Sequence, residues 1–109
     1  MLIRLSLCGL VVLGLLAVFP AQAAEALRIY RLDGSRQCEE GTGRSLERDS
    51  RALRRLGIRI RAMKKLHHPT MIVIMMCGAQ SARANTYVIA ERDWHRHSKR
   101  LKGFARWPR

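Results

Sequence analysis

The sequence predicts a small α+β domain: one antiparallel sheet in the order β-α-β-β-β-α, two helices on one face, and one disulfide. Short runs alternate apolar and polar residues with a period of two, while other runs carry apolar residues at helical spacing. The links between the last three strand-like runs are too short for parallel crossovers, which favours an antiparallel meander. Two cysteines, Cys38 and Cys77, remain once a leader-like N-terminus is set aside. At 109 residues the chain is a single domain, with no room for separate cofactor and substrate domains.

Residues 1–23 read as a cleavable export signal. Arg4 gives a positive start, Leu5 to Phe19 is the apolar run, Pro20 breaks it, and Ala21-Gln22-Ala23 is a small-x-small cleavage site. The run is about 15 residues, short of the ~20 needed to span a bilayer. No later run is long enough, so no transmembrane segment is expected after cleavage. The expected organisation is a signal at 1–23, a domain over 24–102 and a basic tail over 103–109. The expected location is periplasmic or secreted. An oxidising compartment pairs Cys38 with Cys77. A bridge closing a loop of about 40 residues contributes roughly 4 kcal/mol in the chain-entropy model.

Ala26 to Leu32 alternates, with Leu27, Ile29 and Arg31 on one side, and reads as the first strand. Asp33-Gly34-Ser35 marks a turn, and Gln37 to Gly43 a polar loop carrying Cys38. Ser45 is a helix N-cap, Leu46, Ala52, Leu53 and Leu56 form an apolar stripe, and Gly57 suits the C-terminal stop. Glu47 and Arg51 have the spacing of a favourable ion pair. Ile58, Ile60 and Ala62 alternate with Arg59, Arg61 and Met63 and predict a half-buried strand, followed by a loop over 64–70. Met71 to Cys77 is apolar on both sides and predicts a central strand. Thr86 to Ala90 predicts another. Glu91 to Lys102 runs from acidic to basic before Gly103, as a helix with its dipole does. The expected core is Leu46, Leu53, Leu56, Ile58, Ile60, Ile72, Val73, Ile74, Val88 and Ile89.

Charge is the strongest functional signal. The formal net charge is +13, and losing Arg4 with the signal lowers it by one. Two segments carry basic residues without acids. Arg51, Arg55, Arg59, Arg61, Lys64 and Lys65 stand in the first. Arg96, Lys99, Arg100, Lys102 and Arg106 stand in the second, beside Trp94 and Trp107. Arginine supplies paired donors to phosphate and carboxylate, and aromatic rings add stacking. These eleven residues are the expected polyanion-binding set. The expected partner is an anionic component of the cell envelope or an acidic protein. Sequence-specific nucleic-acid binding is not expected, because no helix-turn-helix or zinc-finger pattern is present and the chain is marked for export.

No enzyme motif is visible: G-x-S-x-G, H-E-x-x-H and a phosphate-cradling loop are all missing. The reading is a nonenzymatic envelope interaction or accessory protein acting through a basic surface, without a cofactor. The alternatives are a polyanion-binding or membrane-active cationic effector and, behind it, a periplasmic copper-binding protein. His67, His68, Met71, Met75, Met76, Cys77, His95 and His97 are soft-ligand types, but their spacing does not converge. Asp49 falls inside the apolar stripe of the first helix. It is either a first-turn acid at the positive helix end or a buried functional acid.

Overall fold

The computed structural model describes residues 25–109. The expected signal over 1–23 lies outside the described residues. Strand β1 is Ala26–Leu32, helix α1 is Leu46–Arg55, β2 is Ala62–His67, β3 is Arg83–Ala90 and helix α2 is Glu91–His97. A 3₁₀ turn at Ser98–Arg100 and a short strand β4 at Ala105–Arg106 end the chain. The sheet is antiparallel with order β2-β3-β1-β4, so the α+β class holds. Among the described residues no helix is long and apolar enough to cross a membrane.

Register decides which side chains share a face. Ile29 lies opposite Tyr87, and Tyr87 opposite Met63. This face carries the core: Ile29, Leu53, Ile58, Tyr87, Ile89, Leu101 and Phe104, with Leu46 of α1 and Trp94 of α2 packed against it. Both helices therefore cover the same face, as expected. The Tyr87 hydroxyl donates to the Leu46 carbonyl at 2.6 Å, fixing the start of α1 to the sheet. Burial pushes that phenol's pKa up, and nearby Asp49 and Glu47 add to the effect. On the other face Tyr30, His68 and Trp107 meet edge to face.

Local signals explain α1. Ser45 accepts from the Arg48 amide at its N-terminus. At its C-terminus Gly57 adopts φ +76°, its amide reaching the Arg54 carbonyl while the Ile58 amide reaches that of Leu53. That is the Schellman pattern, with Ile58 and Leu53 as its hydrophobic contact. The Glu47–Arg51 pair is not formed.

The motif explains the first departure from expectation. Ile58 is buried because it closes a helix end, not because it lies in a strand. Strand β2 begins only at Ala62 and runs through residues expected to be loop. Its inward row contains Lys65, a charge that masks the alternation. The second departure is larger. Met71 to Cys77 is not a strand but part of the connection between β2 and β3. Strand β3 is flanked on both sides, by β1 and β2, so the ladder has no central place left for it. Ile72 is 96% exposed and Ile74 is 72% exposed, while Val73 and Val88 are only partly buried. Tyr87, Ile29, Leu101 and Phe104 fill the core instead. The third departure is the tail. Ala105 and Arg106 pair with β1, Phe104 is buried, and the Trp107 amide donates to the Arg28 carbonyl at 2.9 Å. The sheet thus continues past residue 102, and 103–109 does not hang free.

Candidate functional site

The Asp33–Ser45 segment returns from β1 to α1 and closes over a buried polar network. Lys65 reaches inward from β2 and donates to Asp33 Oδ2 at 2.9 Å, Asn85 Oδ1 at 2.7 Å and the Arg44 carbonyl at 2.9 Å. Asn85 donates to Asp49 Oδ2 at 2.9 Å, and Arg44 Nε donates to Asp49 Oδ1 at 2.8 Å. The side chains of Asp33 and Asp49 are each 2% exposed. Burial pushes the Asp33 carboxyl up, but hydrogen bonds from Lys65 and Ser35 outweigh it and hold the group below its ordinary value. Among the described residues no buried side-chain polar atom lacks a partner. Asp49 is therefore both a first-turn acid and a buried one, with its two oxygens engaged.

Above this network lies a depression of about 290 Å³ lined by Arg31, Arg44, Arg48, Arg51, Arg55, Asp49 and Ala52. Five guanidinium groups surround one carboxylate. Asp49 orders two of them: Arg44 is hydrogen-bonded to it, and Arg31 Nη1 lies 3.8 Å away. The Arg31 guanidinium also sits 5.8 Å from the Phe104 ring centre, a cation–π contact. Arg48, Arg51 and Arg55 stand on the exposed side of α1 at i, i+3 and i+7, and no carboxylate pairs with them among the described residues. The arrangement offers several N–H donors to one anionic ligand.

The expected set of eleven basic residues does not converge here. Arg51 and Arg55 line the depression. Arg59 and Arg61 are exposed ahead of β2, and Lys64 is exposed on the sheet face turned away from the helices. Lys65 is the clear misplacement: its ammonium is occupied by the network. Arg96, Lys99, Arg100 and Lys102 are exposed along α2 and the turn after it. Arg106 lies on β4 with Nη1 3.5 Å from Glu91 Oε1. Strands β2 and β4 are opposite edges of the sheet, about 14 Å apart at ~4.8 Å per strand. Lys64 and Lys65 of the first acid-free segment and Arg106 of the second therefore stand on opposite edges of the sheet. Sequence reasoning missed Arg31, Arg44 and Arg48 as one group. Arg48, Arg51 and Arg55 share a helix face that the sequence displays, whereas Arg31 and Arg44 join them only through the fold.

Cys38 and Cys77 form the expected disulfide, with Cα atoms 5.0 Å apart. Cys77 is then no thiolate ligand. His67, His68, Met71 and Met75 do line one common depression of about 300 Å³. His68 Nδ1 already accepts from the amides of Thr70 and Met71, leaving its Nε2. Among the described residues no three His, Cys, Asp or Glu side chains gather into a metal-binding cluster.

No protein-family model matches this chain, and neither a curated protein nor a solved structure is significantly similar to it.

Proposed function

We propose that the protein is a nonenzymatic binding module of the cell envelope, exported to the periplasm or beyond, that takes an anionic envelope component on its arginine-lined face. The observation that carries this reading is the depression of five guanidinium groups around Asp49. A buried carboxylate that holds Arg44 and attracts Arg31 pre-orders part of the donor set, so less side-chain freedom is lost when an anion arrives. A phosphate-bearing glycolipid headgroup or a carboxylate-rich protein segment has the matching chemistry.

The test is a fluorescence titration of the exported protein with lipopolysaccharide or heparin, read through Trp94 and Trp107. Affinity should fall steeply between ~50 and ~300 mM salt as counterion release weakens. The triple variant Arg48→Ala, Arg51→Ala, Arg55→Ala should lose most of it, and a triple variant of Arg96, Lys99 and Lys102 should lose less. Equal losses would make the charge a diffuse coat. Failure of the parent to bind at ~50 mM salt would remove the proposal.

The copper alternative has one observation in its favour, the shared depression of His67, His68, Met71 and Met75. Titration with Cu(I) against a competing chelator tests it. An affinity unchanged by Met71→Leu with Met75→Leu dismisses it.

A further inference from the structure

The connection between β2 and β3 runs over residues 68–82 without helix or strand, a length at which connections are usually either functional or linker segments. Its centre, Met71-Ile72-Val73-Ile74-Met75-Met76, has no charged residue and displays large apolar side chains to solvent. Ile72 is 96% exposed, Met75 87%, Ile74 72% and Met76 59%. Four such side chains in five positions make a patch rather than scattered surface residues.

This loop is held, not loose. Gln37 donates through Nε2 to the Ile74 carbonyl at 2.6 Å and to the Gln80 carbonyl at 3.1 Å, and its Oε1 accepts from the Met76 amide at 3.2 Å. The Cys38–Cys77 bridge and the Arg36–Gln80 backbone pairing fix the same base. His68 caps the other limb by accepting from the amides of Thr70 and Met71. The covalent and polar fastenings present an apolar tip outward instead of burying it.

Charge decides between its possible occupants. Two copies of the exported chain, each one charge below the +13 of the full sequence, repel each other at long range, which disfavours tip-to-tip pairing. The same charge draws the protein to an anionic bilayer surface, where basic residues add attraction and apolar side chains add burial. At the loop's base Arg36, Arg83 and the imidazole of His67 stand against Glu39 and Glu40. The local balance is near neutral, so attraction comes from the whole molecule and the tip supplies the insertion. A lipid interface also needs no shape complementarity from a loop of this kind.

We infer that residues 71–76 are a membrane-docking element that places Ile72, Ile74, Met75 and Met76 at the headgroup–acyl boundary of an anionic bilayer. The attraction rests on the basic-surface reading; the insertion does not. The protein is thereby a peripheral one, docked by a loop.

The experiment is cosedimentation with vesicles of phosphatidylcholine alone and of phosphatidylcholine with phosphatidylglycerol. It uses the protein as exported, with its N-terminus fixed by intact mass. The parent should bind the anionic vesicles and not the neutral ones. Ile72→Ser with Ile74→Ser should lower partition at least about tenfold while leaving heparin binding unchanged, since each isoleucine loses most of its apolar surface. Met75→Trp should add a blue-shifted emission on anionic vesicles that the parent lacks. Parent-like vesicle binding by the double serine variant, with no shift from Met75→Trp, overturns the insertion and leaves the basic surface standing. Heparin binding without vesicle binding overturns the inference alone and points to a protein partner for the loop. Self-association without lipid that the double variant abolishes also overturns it, assigning the loop to a second copy. Binding to neither heparin nor vesicles removes this inference and the proposed function together.

Discussion

Two regions of this molecule invert the usual distribution of polarity in opposite directions. Beneath α1, charge is inside: Lys65, Asp33, Asp49, Asn85 and Arg44 form a closed network with two nearly inaccessible carboxylates. On the β2–β3 connection, apolar side chains are outside, led by Ile72 at 96% exposure. The buried charges have all their partners within the fold. The exposed isoleucines and methionines have none, and water is a poor partner for them. A group satisfied internally is a structural device, whereas a group left unsatisfied toward solvent marks a surface meant for something else. The comparison therefore reads the network as architecture, and it supports the binding roles proposed for the loop and for the open arginine face, which shares Arg44 and Asp49 with that network.

The largest expected effect comes from breaking the inside of that comparison. Lys65→Met removes the cation facing Asp33 and strips Asn85 of its donor. Removing one member of a buried pair leaves an uncompensated charge, typically costing about 3–5 kcal/mol. Lys65 is 27% exposed, so the lower end applies. On a domain this small each kcal/mol shifts the melting temperature by roughly 4–8 °C. Circular dichroism should show a fall of more than ~10 °C. A smaller fall than for an exposed-lysine control such as Lys64→Met would mean that the network is not structural.

The same network sets a pH limit. Asp33 is held below its ordinary value of 3.8, so its carboxylate favours the folded state above that value. The stabilisation is lost as pH falls from about 3.8 through the lower folded value, because the unfolded chain takes up the proton first. In Lys65→Met the burial effect is no longer opposed by the ammonium, and the acid limb of a stability–pH profile should move to higher pH. An unmoved limb would assign acid unfolding to other carboxylates.

A comparable but more local loss follows from opening the disulfide. Cys38→Ser with Cys77→Ser should cost about 2–4 kcal/mol. Hydrogen exchange should rise most over 34–43 and 68–82, since only hydrogen bonds, those of Gln37, the Arg36–Gln80 pairing and the Ser35–Ser81 contacts, then tie the two segments. Exchange in β1 and β3 should follow global stability only. Uniform acceleration would show that the bridge supports the whole fold rather than the presentation of the loop.

These contrasts also show what was legible in the sequence. The class, the antiparallel sheet, α1 with its Ser45 cap and Gly57 stop, and the disulfide all follow from local chemistry that acts within a few residues or has only one possible pairing. The strand at 62–67 was hidden because one of its inward positions is Lys65, whose partners Asp33 and Asn85 are distant in sequence. The apolar run 71–77 looked like a core strand because hydropathy measures what a residue prefers and not which sheet edges are already taken. For the site, the helix face of Arg48, Arg51 and Arg55 was visible. Its union with Arg31 and Arg44 depended on the return of the 33–45 loop over β1, which no spacing encodes.

The smallest expected effect tests that misreading most directly. Ile74→Ser changes a side chain that is 72% exposed and touches the fold chiefly through its backbone carbonyl, held by Gln37. Surface substitutions away from buried groups shift stability by about 0.5 kcal/mol or less. A central-strand isoleucine replaced by serine would instead combine a cavity with an unpaired hydroxyl, a loss of several kcal/mol by the usual core values of about 2–5. The two placements thus differ by more than the error of a melting curve. Leu53→Ala, at a fully buried position on α1, supplies the core scale in the same protein. An unchanged melting temperature for Ile74→Ser beside a large drop for Leu53→Ala places residue 74 outside the core. Equal drops would return the 71–77 run to the interior and remove the apolar tip on which membrane docking depends.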